Sequence, residues 1–143
     1  MGKKRVITET GHTPDMEAGK SVAQSSKKRI TSGVVSIQAT YNNTKIALAD
    51  MEGNVVMWSS SGSLGFKGAK KGTPFAAGKV AEFLADKAQA LGLKEINVVV
   101  KGVGAGRESA VRTLGARGLV LNSIVDATPV PFNGPKPKKP RRV

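Results

Sequence analysis

The chain predicts an α/β fold in the order βββαβαβ, a mixed sheet with helices packed on it. Three observations carry that prediction. Three β-rich runs follow one another across hairpin turn signals, a Thr-Pro pair opens a long stretch of helically spaced apolar residues, and a glycine-rich turn joins an apolar strand to a second helix. Strands that alternate with helices in this way form parallel pairs through helical crossovers, whereas the leading hairpins are antiparallel.

The folded part is expected to begin near Gly33. Val34, Val35, Ile37 and Ala39 form the first β-rich run, Ile46 and Leu48 the second, and Val55, Val56 and Trp58 the third. Asn42-Asn43 and Glu52-Gly53-Asn54 are the intervening turns. Asn42-Asn43-Thr44 also matches a glycosylation sequon, an accidental match in a chain whose N-terminus lacks the apolar stretch of a secretory signal. Thr73 is suited to N-cap the first helix, with Pro74 at the first helical position, where a missing N–H is not needed. Ala77, Val80, Ala81, Leu84, Ala88 and Leu91 recur at helical spacing, Phe75 and Phe83 are expected to broaden the apolar face, and Gly92 closes the helix. The near-continuous apolar run at residues 96–100 suits a buried parallel strand. Gly102-Val103-Gly104-Ala105-Gly106 leads into a second helix over about 107–116, with Ala110, Val111 and Leu114 inward and Gly118 at its end. Residues 119–125 supply the last strand.

Charge divides the 143 residues differently from hydropathy. Residues 1–32, 33–128 and 129–143 carry +4, +4 and +5 of the formal +13, so the two ends hold most of the charge in about a third of the length. This describes a basic N-terminal arm, a globular body and a basic Pro-rich C-terminal tail. The tail has five prolines, five cations and no acid. It can neither continue a helix nor bury a core, and it suits lying along a polyanion, although a solubilising tail has the same composition. Nucleic acid, an anionic membrane surface or an acidic protein would neutralise such a chain.

Zero cysteines exclude a disulfide framework and a thiolate nucleophile, and the single histidine, His12 in the polar arm, reads as a solvated residue. No cofactor and no metal site are expected. Apolar runs are too short to span a membrane, and the reading is of a soluble intracellular protein.

Two segments have the chemistry of anion contact. Strand, glycines and helix N-terminus at residues 102–107 resemble a backbone anion site, with Arg107 placed to add a charge-assisted bond; a merely tight strand-to-helix turn is the competing reading. The spacing G-x-G-x-G fits neither nucleotide-binding fingerprint. From Gly53 to Ala81 there is no acid, while Lys67, Lys70, Lys71 and Lys79 surround Gly65, Phe66, Gly68 and Gly72. Trp58 suits either base stacking or packing within an amphipathic strand.

Ala39-Thr40-Tyr41-Asn42-Asn43-Thr44, Trp58-Ser59-Ser60, Gly65-Phe66-Lys67-Gly68, Thr73-Pro74-Phe75-Ala76-Ala77, Gly102-Val103-Gly104-Ala105-Gly106-Arg107-Glu108-Ser109 and Asp126-Ala127-Thr128-Pro129-Val130-Pro131 together resemble the bacterial form of the ribosomal small-subunit protein eleven family. The resemblance runs in order from about residue 30 to the C-terminus. It implies a ribonuclease-H-like fold without nuclease chemistry, binding central-domain small-subunit ribosomal RNA on the platform near the exit-site tRNA and the messenger RNA path. Small-subunit proteins seven, eighteen and twenty-one are the implied neighbours. At or near RNA it places Asn42, Asn43, Thr44, Ser59, Ser60, Gly65, Phe66, Lys67, Gly68, Lys70, Lys71 and Thr73, then Gly104, Gly106, Arg107, Ser109 and Arg112. In the tail it adds Asn133, Gly134, Lys136, Lys138, Lys139, Arg141 and Arg142. Glu108 is expected to cap the helix or position Arg107. The family's histidine and cysteine around Asn-Gly are here Phe132 and Pro135, and Pro137 and Pro140 interrupt the basic cluster. Asn133-Gly134 is also prone to deamidation, because glycine leaves the succinimide route unhindered.

Nuclease chemistry on this kind of fold needs clustered carboxylates holding two metals. Asp50, Glu52, Glu82, Asp86, Glu95, Glu108 and Asp126 are the acids of the body, and their spacing gathers no such cluster. A non-resident RNA-binding assembly factor is the alternative to a resident ribosomal protein.

Overall fold

A computed structural model describes residues 29–140; the expectations for residues 1–28, His12 among them, and for Arg141 and Arg142 lie outside the described residues. Five strands are formed: β1 (Ser32–Ala39), β2 (Thr44–Ala49), β3 (Val55–Ser60), β4 (Glu95–Lys101) and β5 (Val120–Asp126). Helices α1 (Pro74–Ala90) and α2 (Gly106–Ala116) alternate with the last three, giving the expected βββαβαβ order. The sheet runs β3-β2-β1-β4-β5, with β1–β2 and β2–β3 antiparallel and β1–β4 and β4–β5 parallel.

Local chemistry explains the boundaries. Asp50 organises the β2–β3 turn by accepting from the Asn54 backbone N–H at 2.8 Å and the Glu52 N–H at 3.0 Å, while Gly53 takes φ +92. These bonds, the Asn54 side-chain amide foremost, hold the Asp50 carboxyl below its usual range. Thr73 caps α1 as expected, its hydroxyl accepting from the Ala76 N–H at 3.3 Å. Gly92 and Gly118 adopt positive φ beyond the two helices.

Both helices lie on one face of the sheet. Val35, Ile37, Ile46, Leu48, Ile96, Val98 and Val100 meet Ala77, Val80, Ala81, Leu84 and Ala88 of α1 and Ala110 and Leu114 of α2 in one apolar core. Val111 packs partly buried against it. The buried stripe of α1 is mostly alanine, so the helix sits close to the sheet, and Gly78 faces Ser109 and Thr113 of α2.

Two expectations are corrected, and the last strand shows a feature that the sequence left open. Phe75 and Phe83 do not extend the core: they are 66% and 38% exposed, because their positions fall outside the narrow alanine stripe. Phe75 instead meets Phe66 edge-to-face, ring centroids 6.1 Å apart, and Lys87 lies 4.1 Å over the Phe83 ring. Strand β4 is parallel to both neighbours but buried on one face only, since Asn97 and Val99 point to the helix-free side and stay half-exposed. The last strand is an open edge, with Val120, Ile124 and Val125 exposed.

Candidate nucleic-acid interface

The topology brings the expected binding segments to one end of the sheet. Because β1, β3, β4 and β5 all run toward it, the β1–β2 turn (residues 40–43), the β3–α1 loop (61–73), the glycine turn (102–105) and the start of the tail all emerge there. Both helices begin at this end, so their positive dipole ends share it. The last complete row across the strands is Ser60, Lys45, Gln38 and Lys101, neighbours in register.

The β1–β2 turn is a tight unit: the Thr40 N–H donates to the Asn43 carbonyl at 2.8 Å, and the Asn43 N–H donates to the Thr40 hydroxyl at 3.1 Å. It is gripped from both sides. A Cβ on Gly72 would strike the Tyr41 carbonyl, and one on Gly104 the Thr40 carbonyl, so three loops pack at backbone distance. Gly104 and Gly106 are buried, and a side chain at Gly106 would collide with Ala77 and Thr44. The glycine turn thus serves internal packing. Thr44 is fully buried, with its hydroxyl, like the Asn43 side-chain oxygen, lacking a hydrogen-bond partner.

The β3–α1 loop has an equally definite construction. Ser59 and Ser60 are buried and shape it: the Ser60 N–H donates to the Ser63 hydroxyl at 2.9 Å, the Ser63 N–H returns to the Ser60 hydroxyl at 3.2 Å, and Ser61 N–H reaches the Thr44 carbonyl at 3.0 Å. Gly65 and Gly68 take positive φ, and a 3-10 turn, Gly68–Gly72, leads to the Thr73 cap. Lys67 and Lys70 project exposed from this frame, and Lys71 is half-buried.

Arg107 is committed within the molecule. Its guanidinium pairs with Asp126, donates to the Gly102 carbonyl, and donates to the Thr128 hydroxyl at 3.1 Å. Thr128 also accepts from the Gly102 N–H at 3.2 Å, and its own N–H donates to Asp126 at 3.0 Å. Hydrogen bonds from Thr128 and then Arg107 hold the Asp126 carboxyl low, at about 2. The tail therefore leaves the body through a clamp over the glycine turn. Glu108 neither caps α2 nor touches Arg107: it pairs with Arg112 one turn on, where the i,i+4 spacing brings the two side chains together. Ser109 ties the two helix starts, its hydroxyl donating to the Pro74 carbonyl at 2.8 Å.

Among the described residues, Asn42, Lys67, Gly68, Lys70, Asn133, Gly134, Lys136, Lys138 and Lys139 are thus exposed at this end or in the tail that starts from it. Asn133 takes φ 55, the left-handed region that asparagine tolerates. Sequence reasoning missed Lys45 and Lys101, whose signal was their place at an outward strand-end position, first in β2 and last in β4, and Thr128, which had no local signal. Among the described residues, Lys45, Lys67, Lys70, Lys71 and Lys101 take part in no ion pair, while Glu108, in the first turn of α2, and Asp126, at the end of β5, are both paired. No group of three metal-ligating side chains occurs among the described residues.

Fold and surface together define a basic α/β binding module with five lysines unpaired among the described residues, Lys45, Lys67, Lys70, Lys71 and Lys101, gathered at one end of the sheet. Comparison with known proteins gives the family: the chain belongs to the ribosomal protein S11 family, whose model matches residues 33–142. It is similar to small ribosomal subunit protein uS11 from two strains of Treponema pallidum, one of them strain Nichols. Each is 57% identical over 117 residues, covering 82% of this chain and 93% of the relative. Members are structural, non-enzymatic components of the small subunit of the cytoplasmic ribosome.

Proposed function

We propose that this chain is a resident protein of the small-subunit platform that holds central-domain ribosomal RNA against the basic end of its sheet, near the exit-site tRNA and the messenger RNA path. The observation that carries the reading is the convergence of the Asn42 turn, the lysine loop and the tail on that end, where Lys45, Lys67, Lys70, Lys71 and Lys101 are unpaired among the described residues and the acids Glu108 and Asp126 are engaged. In this division of labour the buried serines and glycines fix the loops, Lys67, Lys70 and Lys71 neutralise phosphate, and the clamped tail extends the contact outward. Small-subunit proteins seven, eighteen and twenty-one are the proposed neighbours, and assembly of the platform is the proposed contribution to translation.

Sedimentation of a lysate through a sucrose gradient tests this, with the protein quantified against small-subunit RNA before and after a moderate salt wash. Retention near one copy per small subunit is expected. Retention on immature particles alone would make the protein an assembly factor instead.

A further inference from the structure

The helix-free face of the sheet carries a feature that the lysine loop and tail leave unused. Trp58 stands on it 64% exposed, opposite Ala47 on β2, and floors a groove of about 380 Å³ lined by Ser36, Gln38, Lys45, Ala47 and Val55. A large aromatic left this open on a sheet has its flat face available, and the small Ala47 beside it leaves room for a planar partner.

We propose that this groove is a single-nucleotide subsite, in which one unpaired RNA base stacks on Trp58. Three observations favour a nucleotide over a protein side chain. The lining contains a cation and no carboxylate, with Lys45 placed to meet the attached phosphate. Gln38 and Ser36 offer amide and hydroxyl groups for a base edge. The groove is also continuous with the basic end, since Lys45 and Gln38 belong to the terminal row of the sheet with Lys101. A paired helix cannot use such a site, because its bases are already stacked, so the subsite selects a looped-out or single-stranded position.

The inference rests on the RNA-binding reading above, and the test separates the two. Trp58 is the chain's only tryptophan, so its emission reports this groove alone. The full-length protein is titrated with oligoadenylate, oligouridylate, a fully paired RNA duplex and isolated small-subunit ribosomal RNA, with binding followed independently by anisotropy of labelled RNA. Quenching by the single strands and by ribosomal RNA, and none by the duplex, is expected. Trp58→Ala should weaken single-strand binding roughly fivefold to a hundredfold without changing its salt dependence, and Trp58→Phe should recover much of the loss. Circular dichroism of both variants should match the parent, since the ring is exposed. Saturating RNA binding with unchanged emission and an unaffected Trp58→Ala variant would overturn the subsite and leave the face to a protein neighbour. Absence of RNA binding by the parent would overturn the RNA-binding reading together with it.

Discussion

The two ends of the sheet share strands and core yet treat charge in opposite ways. Toward the far end, where the β2–β3 turn and both helix C-termini lie, Arg117 spans Glu82 at 3.2 Å and Asp86 at 3.1 Å, and Asn122 donates to Glu95 at 3.0 Å. The Glu82 carboxyl is held low by Lys79 and then Arg117. At the near end Arg107 and Arg112 are paired, as is Lys79 with Glu82 at 2.8 Å early in α1, whereas Lys67, Lys70 and Lys71 of the loop and Lys45 and Lys101 of the terminal row have no ion-pair partner among the described residues. Asp50, Glu52, Asp86 and Glu95 offset Arg117, Lys87 and Lys94 at the far end, whereas the unpaired lysines of the near end have no such balance, and this gives the surface a direction. Mutual repulsion among those lysines is tolerable when a polyanion fills the space between them.

Reversing charge at each end gives the largest contrast. Lys67, Lys70 and Lys71 changed together to glutamate should abolish incorporation into subunits. The slope of log affinity against log salt should fall in magnitude by about three, one for each lost phosphate contact. The same change at Lys87 and Lys94 of the far end should leave RNA affinity within a factor of about two, because those charges lie beyond a Debye length of about 10 Å from the interface. Gradient sedimentation and filter binding over a salt series check both. Equal losses from the two ends would remove the direction from the mechanism, and unfolding of the triple variant would mean that the lysine loop is structural.

Glycine substitutions sharpen the comparison in stability. Gly104→Ala forces a methyl group into the Thr40 carbonyl and should destabilise the body by roughly 1–3 kcal/mol, with a thermal shift of several degrees. Gly53→Ala, in the open far-end turn, meets no atom within 4 Å and carries only the strain of its φ of +92, about 1 kcal/mol. Calorimetry of the two proteins ranks them, and a reversed order would contradict the three-loop packing.

How much of this was legible beforehand depends on how local the cause is. The Thr73-Pro74 start, the Asn42-Asn43 turn and the order of elements follow from neighbours within four residues, and they stand where expected. The partners of Arg107 were not legible, because Asp126 and Thr128 lie 19 and 21 residues away and meet it only after β5 pairs with β4. Glycines in a turn read equally well as ligand approach or as internal packing. Only the position of the Thr40 backbone decides for Gly104. The exposure of Phe75, Phe83 and Val99 was hidden for a related reason: an apolar residue reports a preference, whereas the covering layer that satisfies it is supplied by the rest of the fold or by a partner.

The smallest expected effect concerns the tail's exit. Arg107→Lys keeps a charge but loses the planar fork that reaches Asp126, Thr128 and the Gly102 carbonyl together, so the tail should become more sensitive to protease while the body stays folded. Truncation after Pro131 removes Lys136, Lys138 and Lys139 and should weaken RNA binding further than Arg107→Lys does; unaltered affinity would exclude the tail from the interface. Acid should act on the same clamp. The Asp126 carboxyl is depressed to about 2 from an ordinary 3.8, so its stabilising effect is fully present above pH 3.8 and is lost as pH falls through about 2. A carboxyl-carbon NMR titration should give that midpoint in the parent and a higher one in Arg107→Lys. A midpoint near 3.8 in both would show that the clamp does not hold in solution, and the tail's direction would then be set by RNA alone.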